Sequence, residues 1–163
     1  MIRNVTPDDA APIAGIYNEY VLRSVATFET EEVATAQMRE RIMQISEHYP
    51  YLVYEMDQQV VGYAYAHAWR ERAAYRYTWE TTVYVDSRFV RQGIGSRLLA
   101  ALVEECRHRE ECYALVACIT GGNIASCDLH RKAGFRKVSQ FEKVGVKFSL
   151  RLDVTDWELL LRP

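Results

Sequence analysis

The sequence has little cysteine, and the few cysteines do not form a metal-binding pattern. Its four cysteines are Cys106, Cys112, Cys118 and Cys127, and none belongs to a C-x-x-C motif. Cys127 and His130 form one C-x-x-H pair, but a zinc site needs a second ligand pair at comparable spacing, which the sequence lacks. We therefore predict that the chain binds no metal and that its cysteines are reduced, which indicates a cytoplasmic protein.

Long apolar runs and clustered basic residues are also missing. No apolar stretch approaches the roughly 18 residues of a membrane-spanning helix, and residues 1–5 lack the apolar core of a signal peptide. The net charge is −2 over 163 residues, and no basic run or aromatic–basic pattern supports nucleic-acid binding. We expect neither a membrane nor a nucleic acid as partner, and the length suits a single domain spanning residues 1–163.

The sequence does contain a regular succession of strand and helix patterns. A short strand over 2–5 precedes two helices, the first capped by Thr6 and ending near Val25, the second over about 32–47. There follow strands over 51–56, 60–69 and 75–85, a helix to about 109, a strand over 113–119, a helix from Asn123, and closing strands over 135–146 and 147–161, broken near Gly145. This order predicts an α+β fold.

The stretch from Val85 to Ala101 carries the strongest local signal. A strand pattern ends at Val85, a turn containing Gly93-Ile94-Gly95 follows, and a helix begins at once. Glycines let backbone N–H groups converge, and a helix N-terminus carries partial positive charge, so we predict a phosphate or pyrophosphate socket. The turn lacks the Gly-Lys-Ser/Thr of a Walker A loop, and Leu98 occupies the third glycine position of the dinucleotide fingerprint. An ordinary strand-to-helix turn is the alternative.

Residues 75–85 alternate between two faces of a strand, one of them polar. Tyr75, Tyr77, Trp79, Thr81, Val83 and Val85 share the face predicted to be core, and Arg76, Thr78, Glu80, Thr82 and Tyr84 share the other. Glu80 is the one carboxylate of this pattern and has a hydroxyl residue two positions away on either side. Either it performs acid–base chemistry, or it forms a structural ion pair with Arg72 or Arg76.

Three short motifs carry a resemblance to a known family. Val90-Arg91-Gln92-Gly93-Ile94-Gly95 fits the loop Q/R-x-x-G-x-G/A except at Val90, Asn123-Ile124-Ala125-Ser126 fits N-x-x-S, and Leu129 to Phe135 ends a helix in Gly-Phe. Together, and in this order of elements, they resemble the GNAT superfamily of N-acetyltransferases. The resemblance implies a single-domain, mixed and largely antiparallel sheet with helices on both faces, and it implies acetyl-CoA as co-substrate.

A narrower resemblance extends over several further segments. Residues 72–85 are similar to the run R-x-A-Y-x-x-T-x-E-x-S/T-V-Y-V of phosphinothricin acetyltransferases. Leu129-His130 resembles their histidine, residues 144–148 resemble V-G-Y-K-x with Val146 replacing tyrosine, and residues 153–157 resemble D-V-x-x-W. The resemblance implies that the acceptor is the amine of a small amino acid or analogue, of the phosphinothricin, methionine sulfone or methionine sulfoximine type.

Acetyl transfer needs an unprotonated amine and a protonated leaving group, and the resemblance suggests residues for each task. Glu80 is the predicted general base, because an α-ammonium group must lose a proton before it attacks. His130 or Tyr84 would protonate the departing thiolate. Arg72, with Arg70 as the second candidate, would clamp an acceptor carboxylate, since a guanidinium binds carboxylates with two parallel hydrogen bonds.

The remaining predicted contacts fall into two sets. Those with acetyl-CoA are Val83, Val85, Arg88, Val90, Arg91, Gln92, Gly93, Ile94, Gly95, Ser96, Asn123 and Ser126, where Arg88 or Arg91 replaces the side-chain contact missing at Val90. Those with the acceptor are Phe28, Arg70, Arg72, Tyr75 and Thr82. Phe28 lies in a break between two helices, where it forms either a lid or a buried anchor. Backbone N–H groups near Thr82 to Val85 would polarise the thioester carbonyl.

Two alternatives remain within the family resemblance. One is acetylation of a protein N-terminus, a lysine or a polyamine, and the other is a non-catalytic acyl-CoA sensor. The segment from Arg72 to Glu80 favours a small anionic acceptor over the open groove that a protein substrate requires, and Glu80 itself argues against a sensor. Related enzymes are often dimers, so a homodimer is possible.

Overall fold

Seven strands and four α-helices occupy residues 1–162, the part of the chain that the computed structural model describes. The strands are β1 (Ile2–Asn4), β2 (Tyr51–Met56), β3 (Gln59–Ala68), β4 (Thr78–Val85), β5 (Ala114–Thr120), β6 (Arg136–Lys147) and β7 (Leu150–Leu160), and the helices are α1 (Ala10–Arg23), α2 (Thr35–Ser46), α3 (Ile94–Arg107) and α4 (Ile124–Lys132). They form one sheet in the order β1-β2-β3-β4-β5-β7-β6, and among these neighbours only β4 and β5 run parallel. The predicted α+β class with a mixed, largely antiparallel sheet is confirmed.

The sheet separates two apolar cores because successive strand side chains point to opposite faces. On β2, Tyr51 and Val53 pack into the core formed with α1 and α2, whereas Leu52 and Tyr54 pack into the core formed with α3. The predicted helices on both faces of the sheet are therefore present. Within residues 1–162, none of the helices is long and apolar enough to cross a membrane.

The strand that carries Glu80 is shorter than predicted. Residues Ala73–Tyr75 form a 3-10 turn, and β4 begins only at Thr78. Two hydrogen bonds stabilise the turn: the Tyr75 backbone N–H donates to the Arg72 carbonyl at 2.9 Å, and the Trp79 indole N–H donates to the Arg76 carbonyl at 3.1 Å. The predicted alternation holds where the strand exists, since Trp79 is buried and Glu80 is half-buried on the opposite face.

The turn of the closing hairpin lies three residues beyond the predicted break near Gly145. Phe148 and Ser149 form it, with φ angles of 52° and 60°. Gly145 instead follows a register shift between β6 and β7, and the ring of Phe28 packs directly against it. A Cβ atom on Gly145 would lie 2.3 Å from Phe28 Cε2, so a larger residue there would displace the ring.

The two parallel strands separate near the middle of the sheet. The pairing of β4 with β5 covers three residue pairs and ends at Glu80 and Val116. Beyond that point β4 continues to Val85 paired only with β3, and β5 continues to Thr120 paired with β7. One edge of each strand therefore lines an opening in the sheet, with backbone groups that the sheet does not pair.

Candidate active site

Two adjoining cavities occupy the opening between β4 and β5. The inner cavity has a volume of about 320 Å³ and is bounded by residues 80–84, 117–120 and 26–28. The outer groove has a volume of about 740 Å³ and extends along β4 to the beginning of α3. The residues that line both are Ala26, Val83, Tyr84, Asn123 and Ser126, so these mark the junction at which molecules bound in the two spaces would meet.

The loop at the far end of the outer groove has the geometry of a pyrophosphate site. Gly93 precedes α3 with a φ angle of 76°, and Arg91 has a φ of 64°, so both adopt the left-handed conformation. Such a loop beside a helix start gathers unpaired N–H groups at the positive end of the helix dipole. The predicted acetyl-CoA contacts that line the groove are Val83, Val85, Val90, Arg91, Gly93, Ile94, Gly95, Ser96, Asn123 and Ser126.

Arg88 and Gln92 lie outside the lining of the groove. The Arg88 backbone N–H, Nε and Nη2 donate to the Asp86 carboxylate at 2.9, 3.1 and 2.7 Å. This pairing holds the pKa of Asp86 below its ordinary value and keeps the guanidinium beside its own turn. The structure therefore does not bring Arg88 to the groove, and Arg91 remains the predicted substitute for the side chain missing at Val90.

Sequence reasoning missed the contribution of α1 to the groove, and from α4 it named only Ser126. Tyr20, Ser24 and Val25 line it from the end of α1, and Leu129 and Lys132 line it from α4. The Tyr20 hydroxyl donates to the Val85 carbonyl at 2.5 Å, which joins α1 to the end of β4. Helical spacing predicts that Tyr20 is buried, but it does not predict a contact with a residue 65 positions away.

Glu80 lies in the inner cavity without a cationic partner. Within residues 1–162 it forms no salt bridge, and Arg76 instead donates to the Ala73 carbonyl and the Tyr77 hydroxyl. Burial and the nearby negative charge of Asp156 raise the pKa of Glu80 to about 7. The structural ion pair considered above is therefore absent, and the carboxyl group exchanges a proton near neutral pH.

A second carboxylate, that of Asp156 on β7, lies behind Cys118, which lines the inner cavity. Cys118 Sγ donates to Asp156 Oδ1 at 3.1 Å, and Ser139 Oγ donates to Asp156 Oδ2 at 2.9 Å. Burial, together with this hydrogen bond, raises the pKa of the Cys118 thiol to about 12. The thiol that lines the cavity is therefore protonated at neutral pH and is a poor nucleophile.

His130 projects from α4 into the inner cavity with one nitrogen free. Its Nδ1 lies 2.8 Å from the Ser126 carbonyl oxygen, which can only accept, so Nδ1 carries the proton. Nε2 is buried and has no hydrogen-bond partner within residues 1–162. Burial lowers the pKa of His130, so this nitrogen is an acceptor rather than a proton donor. Nor do the described residues place three His, Cys, Asp or Glu side chains together for a metal ion.

Tyr84 stands at the junction of the two spaces. Its ring packs against Tyr17 and Tyr20 at centroid distances of 5.4 and 5.0 Å, which fixes its direction. Burial raises the pKa of its phenol, so the hydroxyl is protonated at every physiological pH. Of the two residues predicted to protonate a leaving thiolate, Tyr84 alone borders both cavities and carries an available proton.

The predicted acceptor contacts divide into two groups. Phe28 and Thr82 line the inner cavity with Glu80. Arg70, Arg72 and Tyr75 line a separate depression, where the Arg70 guanidinium lies 4.1 Å from the centroid of the Trp69 ring. These three residues belong to the segment before β4 that contains the 3-10 turn, and they do not line the inner cavity.

Comparison with known proteins agrees with this geometry. The acetyltransferase (GNAT) domain family matches residues 2–155. A phosphinothricin N-acetyltransferase of Alcaligenes faecalis is 35% identical over 99% of this chain and 81% of its own length. An L-methionine sulfoximine/L-methionine sulfone acetyltransferase of Salmonella typhimurium is 37% identical over 98% of this chain and 94% of its own. The structure of a Sinorhizobium meliloti phosphinothricin acetyltransferase with acetyl-CoA superposes with a TM-score of 0.95 at 34% identity, covering 99% and 88% of the two chains.

Proposed function

Given that the chain belongs to the GNAT acetyltransferase family, with acetyl-CoA as its acetyl donor, we propose that it acetylates the amino group of a small amino acid or analogue. Acceptors of the phosphinothricin, methionine sulfone and methionine sulfoximine types are the first candidates, because relatives with those names are 35% and 37% identical over nearly the whole chain. The observation that carries the proposal is the unpaired Glu80 carboxyl group in a cavity of about 320 Å³ beside the acetyl-CoA groove.

Glu80 acts as the general base. An acceptor in the inner cavity is an ammonium ion at neutral pH and must lose a proton before its nitrogen can attack. With its pKa near 7, Glu80 is ionised often enough to take that proton and basic enough to hold it. The two neighbouring hydroxyl residues, Thr82 and Thr81, lie on the same stretch of cavity wall.

The outer groove fits acetyl-CoA. Its loop and the α3 N-terminus supply N–H groups for a pyrophosphate, and the free edge of β4 supplies further backbone groups toward the junction. When bound, acetyl-CoA supplies an acetyl thioester that is activated for transfer to an amine. Tyr84 at the junction donates a hydrogen bond that stabilises the leaving thiolate, and His130 Nε2 accepts a hydrogen bond from a group in the inner cavity.

Arg72 remains our predicted clamp for the acceptor carboxylate, with Arg70 and Tyr75 beside it. Resemblance to the run R-x-A-Y supports this role, and all three residues share one depression. A homodimer and a cytoplasmic location also remain predictions. Exposed apolar side chains on the closing hairpin support the homodimer, and they are Val144, Val146, Phe148 and Leu150.

The size of the inner cavity favours a small acceptor over a protein or polyamine chain. Phe28 closes one side of it, and residues 117–120 close another. The unpaired Glu80 favours catalysis over acyl-CoA sensing, because ionisable groups with strongly shifted pKa values cluster at catalytic sites.

The experiment is an acceptor panel. The purified protein is mixed with acetyl-CoA and phosphinothricin, methionine sulfone, methionine sulfoximine, ordinary amino acids, polyamines or a lysine peptide, and free thiol is measured. Turnover confined to the amino acids and their analogues is the expected result. Turnover on polyamines or peptide alone would overturn the acceptor assignment, and acetyl-CoA binding without turnover on any amine would favour the sensor.

A further inference from the structure

One wall of the inner cavity is a short irregular segment, residues 25–28, which joins α1 to the chain that leads into α2. Ala26, Thr27 and Phe28 line the inner cavity, and Val25 and Ala26 line the outer groove. We call this segment the acceptor wall. It has no regular secondary structure of its own, so its position depends on the contacts that other elements make with it.

Lys147 provides the most unusual of these contacts. It is 3% exposed, and its Nζ donates to the Thr27 carbonyl at 2.8 Å and to the Tyr20 carbonyl at 3.4 Å. No salt bridge within residues 1–162 pairs it with a carboxylate, and burial lowers its pKa. Burying an ammonium group without a carboxylate is unfavourable, so an apolar side chain of equal length would suit the packing better unless the donor is needed.

Three other contacts hold the same wall. Thr120 Oγ1 donates to the Val25 carbonyl at 2.7 Å, and the Tyr17 and Thr27 hydroxyl oxygens lie 2.8 Å apart. Gly145, two residues before Lys147 on β6, leaves the space that the Phe28 ring fills. Lys147 and Gly145 therefore act on the wall from one strand, the first through the Thr27 backbone and the second through the Phe28 side chain.

We propose that Lys147 is a positioning residue that, together with Gly145, fixes the acceptor wall and thereby sets which amines fit beside Glu80. The effect on which amines fit rests on the proposed function, whereas the claim that Lys147 and Gly145 fix the acceptor wall does not. Lys147 does not touch the reacting atoms. It acts through the carbonyl of Thr27, and the two carbonyls satisfied by one ammonium tie the end of α1 to the wall.

The first test replaces Lys147 by methionine, which keeps a long unbranched side chain and removes the donor. We expect the KM for the acceptor to rise about tenfold or more while the KM for acetyl-CoA stays within about twofold, because misplacement by about 1 Å is costly in a reacting site. Amide hydrogen exchange over residues 25–28 should accelerate. The matched control is Lys137→Met on the same strand, where the side chain is exposed and, among residues 1–162, hydrogen-bonds only to Gln140.

A second test avoids dependence on the folding of Lys147→Met. Gly145→Ala should raise the acceptor KM in the wild-type background, and the effect should disappear in a Phe28→Ala background, since the clash involves that ring. Additive effects of Gly145→Ala and Phe28→Ala would overturn the proposal. So would unchanged exchange over residues 25–28 in a folded Lys147→Met protein. If the wild type acetylates no amine, the proposed function fails, and the exchange measurement still decides the role of Lys147.

Discussion

Cys118 Sγ donates a hydrogen bond of 3.1 Å to Asp156 Oδ1, which places the Asp156 carboxyl group behind the cavity that contains Glu80. The arrangement has two effects. Together with burial, which is the larger cause, it raises the pKa of the Cys118 thiol to about 12, so the thiol stays protonated and does not compete with the acceptor amine. It also adds to the effect of burial on Glu80, whose pKa rises to about 7. The hydrogen-bonded pair of Cys118 and Asp156 therefore keeps the thiol non-nucleophilic and raises the pKa of the proposed base, Glu80.

Replacing Glu80 by glutamine should lower turnover by about a hundredfold or more while acetyl-CoA still binds, because general base catalysis typically contributes at least that much. In the wild type, kcat/KM should rise with pH and level off above about 7, since the base works in its ionised form. The variant should lose this rise. His67 on β3 is paired with Glu80 on β4, and burial lowers the pKa of His67 below its ordinary value. A His67→Gln variant with an unchanged profile would assign the rise to Glu80, and wild-type turnover in Glu80→Gln would refute its role.

Replacing Asp156 by asparagine should shift the rise in kcat/KM to lower pH. The negative charge of Asp156 opposes ionisation of Glu80, so its removal stabilises the Glu80 carboxylate. Reaction of Cys118 with iodoacetamide near pH 8 should become faster, because the thiol loses its carboxylate partner. Ser139→Ala removes one hydrogen bond from Asp156 without changing its charge and serves as the control. A profile that stays in place in Asp156→Asn would exclude this coupling.

The features that sequence predicts well are those whose geometry depends on neighbouring residues. Gly93 needs its left-handed conformation to begin α3, and Asn123 caps α4 by accepting a hydrogen bond from the Ser126 backbone N–H at 3.2 Å. Gly134, with a φ of 95°, ends α4 as predicted. The alternation of buried and cavity-facing side chains around Glu80 is also predicted by the sequence, because a tryptophan such as Trp79 favours the buried face of a strand.

The features that sequence does not predict depend on contacts between distant segments. The 3-10 turn over Ala73–Tyr75 delays the start of β4 to Thr78, and Arg72 lies in a depression separate from the inner cavity. Lys147 has the sequence context of an ordinary strand lysine, and only the fold brings its Nζ to the carbonyl of Thr27, 120 residues away, which accepts a hydrogen bond from it. Whether a charged side chain such as Lys147 is buried depends on contacts between distant segments, and the local sequence pattern does not predict it.

Replacing Arg72 by alanine should raise the KM for the acceptor and leave that for acetyl-CoA nearly unchanged. The loss of a charge-assisted bidentate contact corresponds to about a tenfold to hundredfold change. Arg76→Ala is the matched control, because within the described residues its guanidinium hydrogen-bonds only to the Ala73 carbonyl and the neighbouring Tyr77 hydroxyl. Equal acceptor KM values for Arg72→Ala and wild type would remove Arg72 from acceptor binding, in agreement with its position outside the inner cavity.

The His130 ring should be neutral at pH 7 and above, with its proton on Nδ1. The Ser126 carbonyl fixes the proton on that nitrogen, and burial lowers the pKa of the ring. Nitrogen-15 NMR of labelled histidine distinguishes this form from the Nε2–H tautomer and from imidazolium. His130→Phe, which keeps the ring packing against Phe135, should lower kcat about tenfold by removing the Nε2 acceptor. A charged ring at pH 7 would restore the original interpretation of His130 as the proton donor.

The raised pKa of Glu80 also makes stability depend on pH, with a sign opposite to that of an ion-paired carboxylate. Below about pH 4.5 the Glu80 carboxyl group is protonated in both the folded and the unfolded chain, so it does not lower the free energy of unfolding. As the pH rises through about 7, the folded protein must either hold the proton or bury a charge, and stability falls relative to the unfolded chain. Glu80→Gln has no such penalty. Its free energy of unfolding should therefore exceed that of the wild type at pH 8 by at most about 3 kcal/mol, and the difference should shrink toward pH 4.5. Urea denaturation at both pH values measures it, and a difference independent of pH would mean that Glu80 titrates normally in the folded protein.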